Sequence, residues 1–136
     1  MTTDQPAAGI LDTSVFIADE SGRQLETSLL PEELATTVVT LAELNAGVLA
    51  ARTSEIRARR LRTLDAVADM IALPVDEEAA QMWALLRVHL TEAGRRVRVK
   101  DLWIAAIAAA KRLPVVTHDG DFDVLEGVAG LAIIHV

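Results

Sequence analysis

Apolar positions along the chain fall into short blocks that switch between two spacings, and each block predicts an element. Gly9-Ile10-Leu11 runs apolar into Asp12, as a buried strand would, and Thr13 to Ala18 then predicts a helix. Ala35-Thr36-Thr37-Val38-Val39 is dense in β-branched side chains and predicts a second strand. From Thr40 the period changes: Leu41, Leu44 and Val48 recur at helical spacing, and Thr40 with Glu43 has the spacing of a capping box, so a helix is expected to begin there. Between Ser54 and Met70, residues Ile56, Leu61, Leu64, Val67 and Ile71 share one helical face and leave Arg59 and Arg62 on the other. Arg57 and Arg60 fall within the apolar stripe, where they must snorkel or border an interface.

Ile71-Ala72-Leu73-Pro74-Val75 predicts a short strand, and its proline places it at a sheet edge or a strand end. Asp76 is set to cap a long helix with Ala79, Met82, Trp83, Leu86, Leu90 and Ala93 on one side, and Gly94 to stop it. A basic loop, Arg95 to Lys100, leads to Asp101, which opens a stretch apolar all round that ends at Lys111-Arg112, the pattern of a helix buried on most sides. Val115-Val116-Thr117 and Leu131-Ala132-Ile133-Ile134 are the last strand candidates, with the acidic turn His118 to Asp123 between them. Continuously apolar strands alternating with helices predict an α/β fold with a parallel sheet covered on both faces. The 136 residues suit one domain, with 1–8 as an N-terminal tail. Ligands of such sheets bind beyond the carboxyl ends of the strands.

Composition narrows the chemistry. With 51% hydrophobic but 3% aromatic residues, the core must be built from Ala, Leu, Val and Ile. The absence of cysteine excludes disulfides and thiolate zinc sites and fits a reducing cytoplasm. MTTDQPAAG lacks a secretory pattern, and the longest apolar run, Leu102 to Ala110, is too short to span a bilayer, so a soluble, cytoplasmic protein is expected. A net charge of −7 argues against a polyanionic partner unless some acids hold a cation. The bases are concentrated, at Arg57, Arg59, Arg60 and Arg62 and again at Arg95, Arg96, Arg98 and Lys100.

Asp12, Glu43, Asp101 and Asp119 all sit at element junctions, three of them at strand-to-helix transitions. Singly, each is explained by capping or by the helix dipole. Converging on one crevice, they would repel one another and require a cation. Oxygen donors without His or Cys select a hard ion such as Mg²⁺ or Mn²⁺, which also takes phosphate oxygens, so phosphodiester chemistry follows. Asp119-Gly120-Asp121-Phe122-Asp123 opens like an EF-hand loop, but Val124 and Gly130 stand where that loop needs Gly and Glu. His118 beside Asp119 offers an acid/base pair, although His89, His118 and His135 show no metal spacing. Trp83 and Trp103 lie on apolar helix faces, which favours core packing over stacking on bases.

Four segments resemble, in order, the acidic motifs of PIN-domain ribonucleases, particularly toxins of the VapC type: Ile10-Leu11-Asp12-Thr13-Ser14, Thr40-Leu41-Ala42-Glu43-Leu44, Asp101-Leu102-Trp103-Ile104-Ala105-Ala106 and Val116-Thr117-His118-Asp119-Gly120-Asp121-Phe122. The resemblance spans nearly the whole chain. It implies a three-layer α/β/α fold, RNA cleavage dependent on Mg²⁺ or Mn²⁺, a homodimer, and inhibition by a small cognate antitoxin. Asp12, Glu43 and Asp101 take the first three acidic positions, and either Asp119 or Asp121 the fourth. Asp12, Asp101 and Asp119 are expected as metal ligands, with Glu43 acting through water. Thr13, Ser14 and Thr117 match supporting polar positions, and Arg95, Arg96, Arg98 and Lys100 would contact the RNA backbone. The rival is a phosphate-accepting receiver-like domain or a non-catalytic Mg²⁺-binding signalling module. A receiver wants paired acids at the first strand and a lysine beyond the last, and a haloacid-dehalogenase phosphatase wants an acid where Ser14 stands.

Overall fold

The computed structural model describes residues 6–136. Five strands, β1 (Ala8–Leu11), β2 (Glu33–Thr37), β3 (Ala72–Leu73), β4 (Val115–Thr117) and β5 (Ile133–His135), form one parallel sheet in the order β3-β2-β1-β4-β5. Five helices flank it: α1 (Thr13–Glu20), α2 (Val38–Leu49), α3 (Ser54–Val67), α4 (Glu77–Ala93) and α5 (Val99–Lys111). This is the expected α/β/α class. β1 begins one residue inside the expected tail, and 1–5 of that tail lie outside the described residues.

Alternation along the strands divides the core. Ile10, Val115 and Ile133 face the larger cluster, built with Leu86 and Leu90 of α4 and the buried Leu102-to-Ala109 side of α5, while Leu11 and Val116 face Val15 of α1 and Val136. Small alanines bring α5 close to the sheet: Ala105, Ala106 and Ala108 are fully buried. Trp83 and Trp103 stack with centroids 5.2 Å apart, so both belong to helix packing, as expected. Gly9 permits the close approach at β1, since a Cβ there would lie 2.9 Å from Pro31 and from Val116. Among the described residues no helix is long and apolar enough to cross a membrane.

Several boundaries differ from expectation. β2 stops at Thr37, and Val38-Val39 already belong to α2. Thr37, not Thr40, is the N-cap: its backbone is extended and its side chain accepts the Thr40 N–H at 3.2 Å. Replacing this buried Thr37 with Ala is expected to cost about 1 kcal/mol in chemical denaturation. α3 ends at Val67 rather than Met70, and Ile71, 69% exposed, precedes a β3 that keeps only Ala72–Leu73 at the sheet edge. Arg60 donates to the Gly47 carbonyl (2.6 Å) and Arg57 to that of Ala51 (3.4 Å), so both reach back to the end of α2. Ala93, expected on the apolar side of α4, is exposed. Val99 and Lys100 are helical rather than loop, and Asp101 sits in the first turn of α5 instead of opening it. β5 starts at Ile133 because Leu131 is held in a turn by the Gly127 N–H on its carbonyl, 2.8 Å away.

Candidate active site

Sheet register assembles the first part of the site. Leu11 pairs with Val116, and the Asp12 N–H donates to the Val116 carbonyl at 3.0 Å, so Asp12 and Thr117 leave neighbouring strands side by side at the carboxyl edge. Asp12 is only 2% exposed, and both its oxygens are held: Ser14 Oγ donates to Oδ1 at 2.7 Å and Thr117 Oγ1 to Oδ2 at 3.0 Å. Ser14 is itself fixed by the His118 N–H, 2.9 Å from its Oγ. Asp12 thus has a locked orientation.

The turn after β4 adds two acids. Asp119 Oδ1 lies 3.3 Å from Thr117 Oγ1 and accepts the Asp121 N–H at 3.0 Å. Fully buried Phe122 pins the turn to the core, leaving Asp121 exposed beside it. Asp101 enters from the first turn of α5, half-buried. On α2, Glu43 accepts from Thr13 Oγ1 at 2.7 Å and pairs with Lys100 Nζ at 2.7 Å.

Electrostatics shows that these groups share one crevice. Burial pushes the Asp12 carboxyl from 3.8 up to about 7; the Ser14 and Thr117 hydroxyls oppose this, and Asp119 and Asp101 add to it. Asp101 is raised to about 6, first by burial, then by Asp121, Asp119 and Glu43, with Arg98 opposing. Two neighbouring carboxyls raised first by burial and then by the charge of nearby acids form a site whose ionised state a bound cation would stabilise. Among the described residues, no group of three His, Asp or Glu side chains is gathered tightly enough to enclose an ion as it stands. The donor set nevertheless fits a hard divalent cation: all oxygen, mutually repelling, with one ligand held at both oxygens.

The structure brings Asp12, Asp101, Asp119, Asp121, Glu43 and the supporting Thr13, Ser14 and Thr117 into this region. It moves others away. His118 donates from Nδ1 to the Val136 carbonyl at 2.7 Å, and Asp123 pairs with His135 at 2.8 Å. Lys100 stays beside the acids, paired with Glu43, a pairing no sequence spacing announces. Thr40 was also missed as a site neighbour: its Oγ1 lies 3.1 Å from that of Thr13. Beside the acids a groove of about 590 Å³ brings Thr13, Glu43 and Lys100 next to Glu20, Arg59 and Arg60.

Comparison with known proteins bears on this arrangement. Residues 9–128 match the PIN domain family. Ribonuclease VapC5 of Mycobacterium tuberculosis is 66% identical over 131 residues, covering 96% of this chain and 97% of that protein. Ribonuclease VapC4 of the same organism is 39% identical over 124 residues, covering 91% and 95%. Among solved structures, VapBC-5 from Mycobacterium tuberculosis, described as a member of the VapBC family of toxin–antitoxin systems, superposes with a TM-score of 0.91 and 63% identity. That superposition covers 96% of this chain and all of the other.

Proposed function

The chain belongs to the PIN-domain family, and on that footing we propose that it is a ribonuclease serving as the toxin of a VapBC-type toxin–antitoxin pair, with Mg²⁺ or Mn²⁺ as cofactor. The observation that carries the reading is the group of carboxyls around Asp12, where burial first and neighbouring acids second raise Asp12 to about 7 and Asp101 to about 6. Asp12, Asp101 and Asp119 would hold the ion. A hard divalent cation, when bound, neutralises a phosphodiester oxygen and makes a water acidic enough to supply the nucleophile.

The protein's own groups do the rest. Ser14 and Thr117 hold Asp12 in one rotamer, so little reorganisation is needed at the moment of reaction. Glu43, steadied by Thr13 and Lys100, orients the attacking water and receives its proton, placing the incoming oxygen in line with the leaving one. Asp121 adds negative charge close enough to raise Asp101, so it would strengthen the pull on a cation. An antitoxin that silences the enzyme must cover these acids, and the adjoining groove with Glu20, Arg59 and Arg60 offers both signs of charge for that contact. A homodimer would have Leu85 and Val88 available, large apolar side chains exposed about one turn apart on α4.

Lys100→Met is expected to lower kcat about 10-fold with KM little changed, because it frees Glu43; a backbone phosphate contact would instead raise KM. Steady-state cleavage kinetics separates the two. The function itself is tested by exposing a mixed RNA pool to the purified protein with Mg²⁺ or Mn²⁺, and with chelator. Cleavage that needs the cation is expected. A folded protein that cuts nothing with either ion, but becomes acylphosphorylated by acetyl phosphate, would overturn the reading in favour of a receiver-like domain.

A further inference from the structure

Acids outnumber bases by 20 to 13 in this chain, yet one cavity carries only positive charge. It opens where α4 turns into α5, encloses about 610 Å³, and is lined by Arg87, Arg95 and Arg96 with Thr91, Val97 and Leu102 among the rest; no acidic residue lines it. Among the described residues, none of the three arginines has an ion-pair partner. The end of a helix attracts cations, but Gly94 already closes α4 in the left-handed conformation, with its own N–H bonded to Thr91. Three unpaired guanidinium groups around one hollow exceed what a helix dipole requires.

Position supplies the rest. Arg96 also lines a second cavity, of about 330 Å³, together with Arg98, Gly120 and Asp121. Asp121 and Arg98 both act on Asp101, so the second cavity borders the acidic crevice. A line of guanidinium groups therefore runs from the carboxylates through Arg98 and Arg96 to Arg95 and Arg87. We infer that the cavity of Arg87, Arg95 and Arg96 is a subsite for the phosphates of the RNA strand flanking the cut. This assignment rests on the ribonuclease reading. A strand of evenly spaced phosphates suits such a line, and hundreds of cubic ångströms admit a nucleotide. It also explains how a protein of net charge −7 holds a polyanion: the attraction is confined to one track that ends at the acids.

The test uses fluorescent oligouridylates of ~4 and ~12 nucleotides, binding in the presence of Mg²⁺ to protein carrying Glu43→Gln, which slows cleavage. Adding Arg87→Gln and Arg95→Gln is expected to weaken the longer RNA about 10-fold and to lower the steepness of its log–log salt dependence by about 1.4, as two lost single-strand phosphate contacts imply. The shorter RNA should be unaffected, and Arg23→Gln, an equal charge change elsewhere, should alter neither. Equal weakening of both RNAs, or no more weakening than Arg23→Gln produces, overturns the subsite. So does a hexaglutamate peptide that binds through these arginines while RNA binding is unchanged by their loss; the cavity would then belong to an acidic protein segment. Failure of the underlying function reads out separately: wild-type protein that binds the longer RNA through Arg87 and Arg95 yet cleaves no RNA contradicts the nuclease, and with it the flanking role, while showing that these arginines hold RNA phosphates.

Discussion

Asp12→Asn is expected to reduce RNA cleavage on the order of 100-fold or more while making the cation-free protein more stable at pH 8. Burial holds this carboxyl's proton up to about 7 in the folded chain, against 3.8 when unfolded. Between those values the folded state binds more protons than the unfolded state, so stability falls as pH rises from about 4 to about 7 and then levels off. The full span corresponds to an upper limit of about 4 kcal/mol, of which relaxation will recover a part. Asn carries no charge and fits the same space, with the Ser14 and Thr117 hydroxyls free to turn toward its amide. Thermal unfolding with chelator at pH 5 and pH 8 checks the sign: the wild type should lose stability between them and the variant should lose less. A variant less stable than wild type at pH 8 would show that Asp12 is not buried against its charge.

Phe122→Ala carries the largest expected structural cost, about 3–5 kcal/mol by urea denaturation. The ring is fully buried in the main core cluster, although it stands between the exposed Asp121 and Asp123. Such a loss is a large share of the 5–15 kcal/mol that stabilises a typical domain. Its functional consequence should precede unfolding. Phe122 is what ties the Asp119–Asp121 turn to α4 and α5, so cleavage should fall even well below the melting temperature. A cost under about 1 kcal/mol would mean that the turn is anchored some other way.

How far the chain announces itself can be judged element by element. Both ends of α4 were readable because their signals are local: Asp76 accepts the Ala79 N–H and Gly94 adopts the left-handed conformation. The start of α2 was not, because Thr37 and Thr40 are both hydroxyls around a β-branched pair, and strand register chooses between them: Thr37 pairs with Leu73 before the chain turns. Arg57 and Arg60 could be seen to break an apolar stripe, but that Arg60 reaches the Gly47 carbonyl of α2 and Arg57 that of Ala51 just beyond it depends on how α2 and α3 pack. Asp12 and Asp119 stand at strand ends, where a parallel sheet gathers chemistry, so their meeting was foreseeable from order alone. Asp101 needed the packing of α5, and Lys100 needed a partner 57 positions away, at Glu43. The cavity at Arg87 is invisible in the sequence because a helix end and the following loop meet there only after α4 and α5 pack.

The central claim, that carboxylates from β1, α5 and the turn after β4 act together as one cation site, is tested most directly by calorimetric titration of the protein with Mn²⁺ at pH 7 in buffers of different ionisation enthalpy. The account predicts saturable binding with net proton release, since Asp12, and Asp101 to a lesser degree, must give up protons to take the ion, and marked weakening in both Asp12→Asn and Asp101→Asn. Binding unchanged by either substitution, or no binding at all, would contradict it.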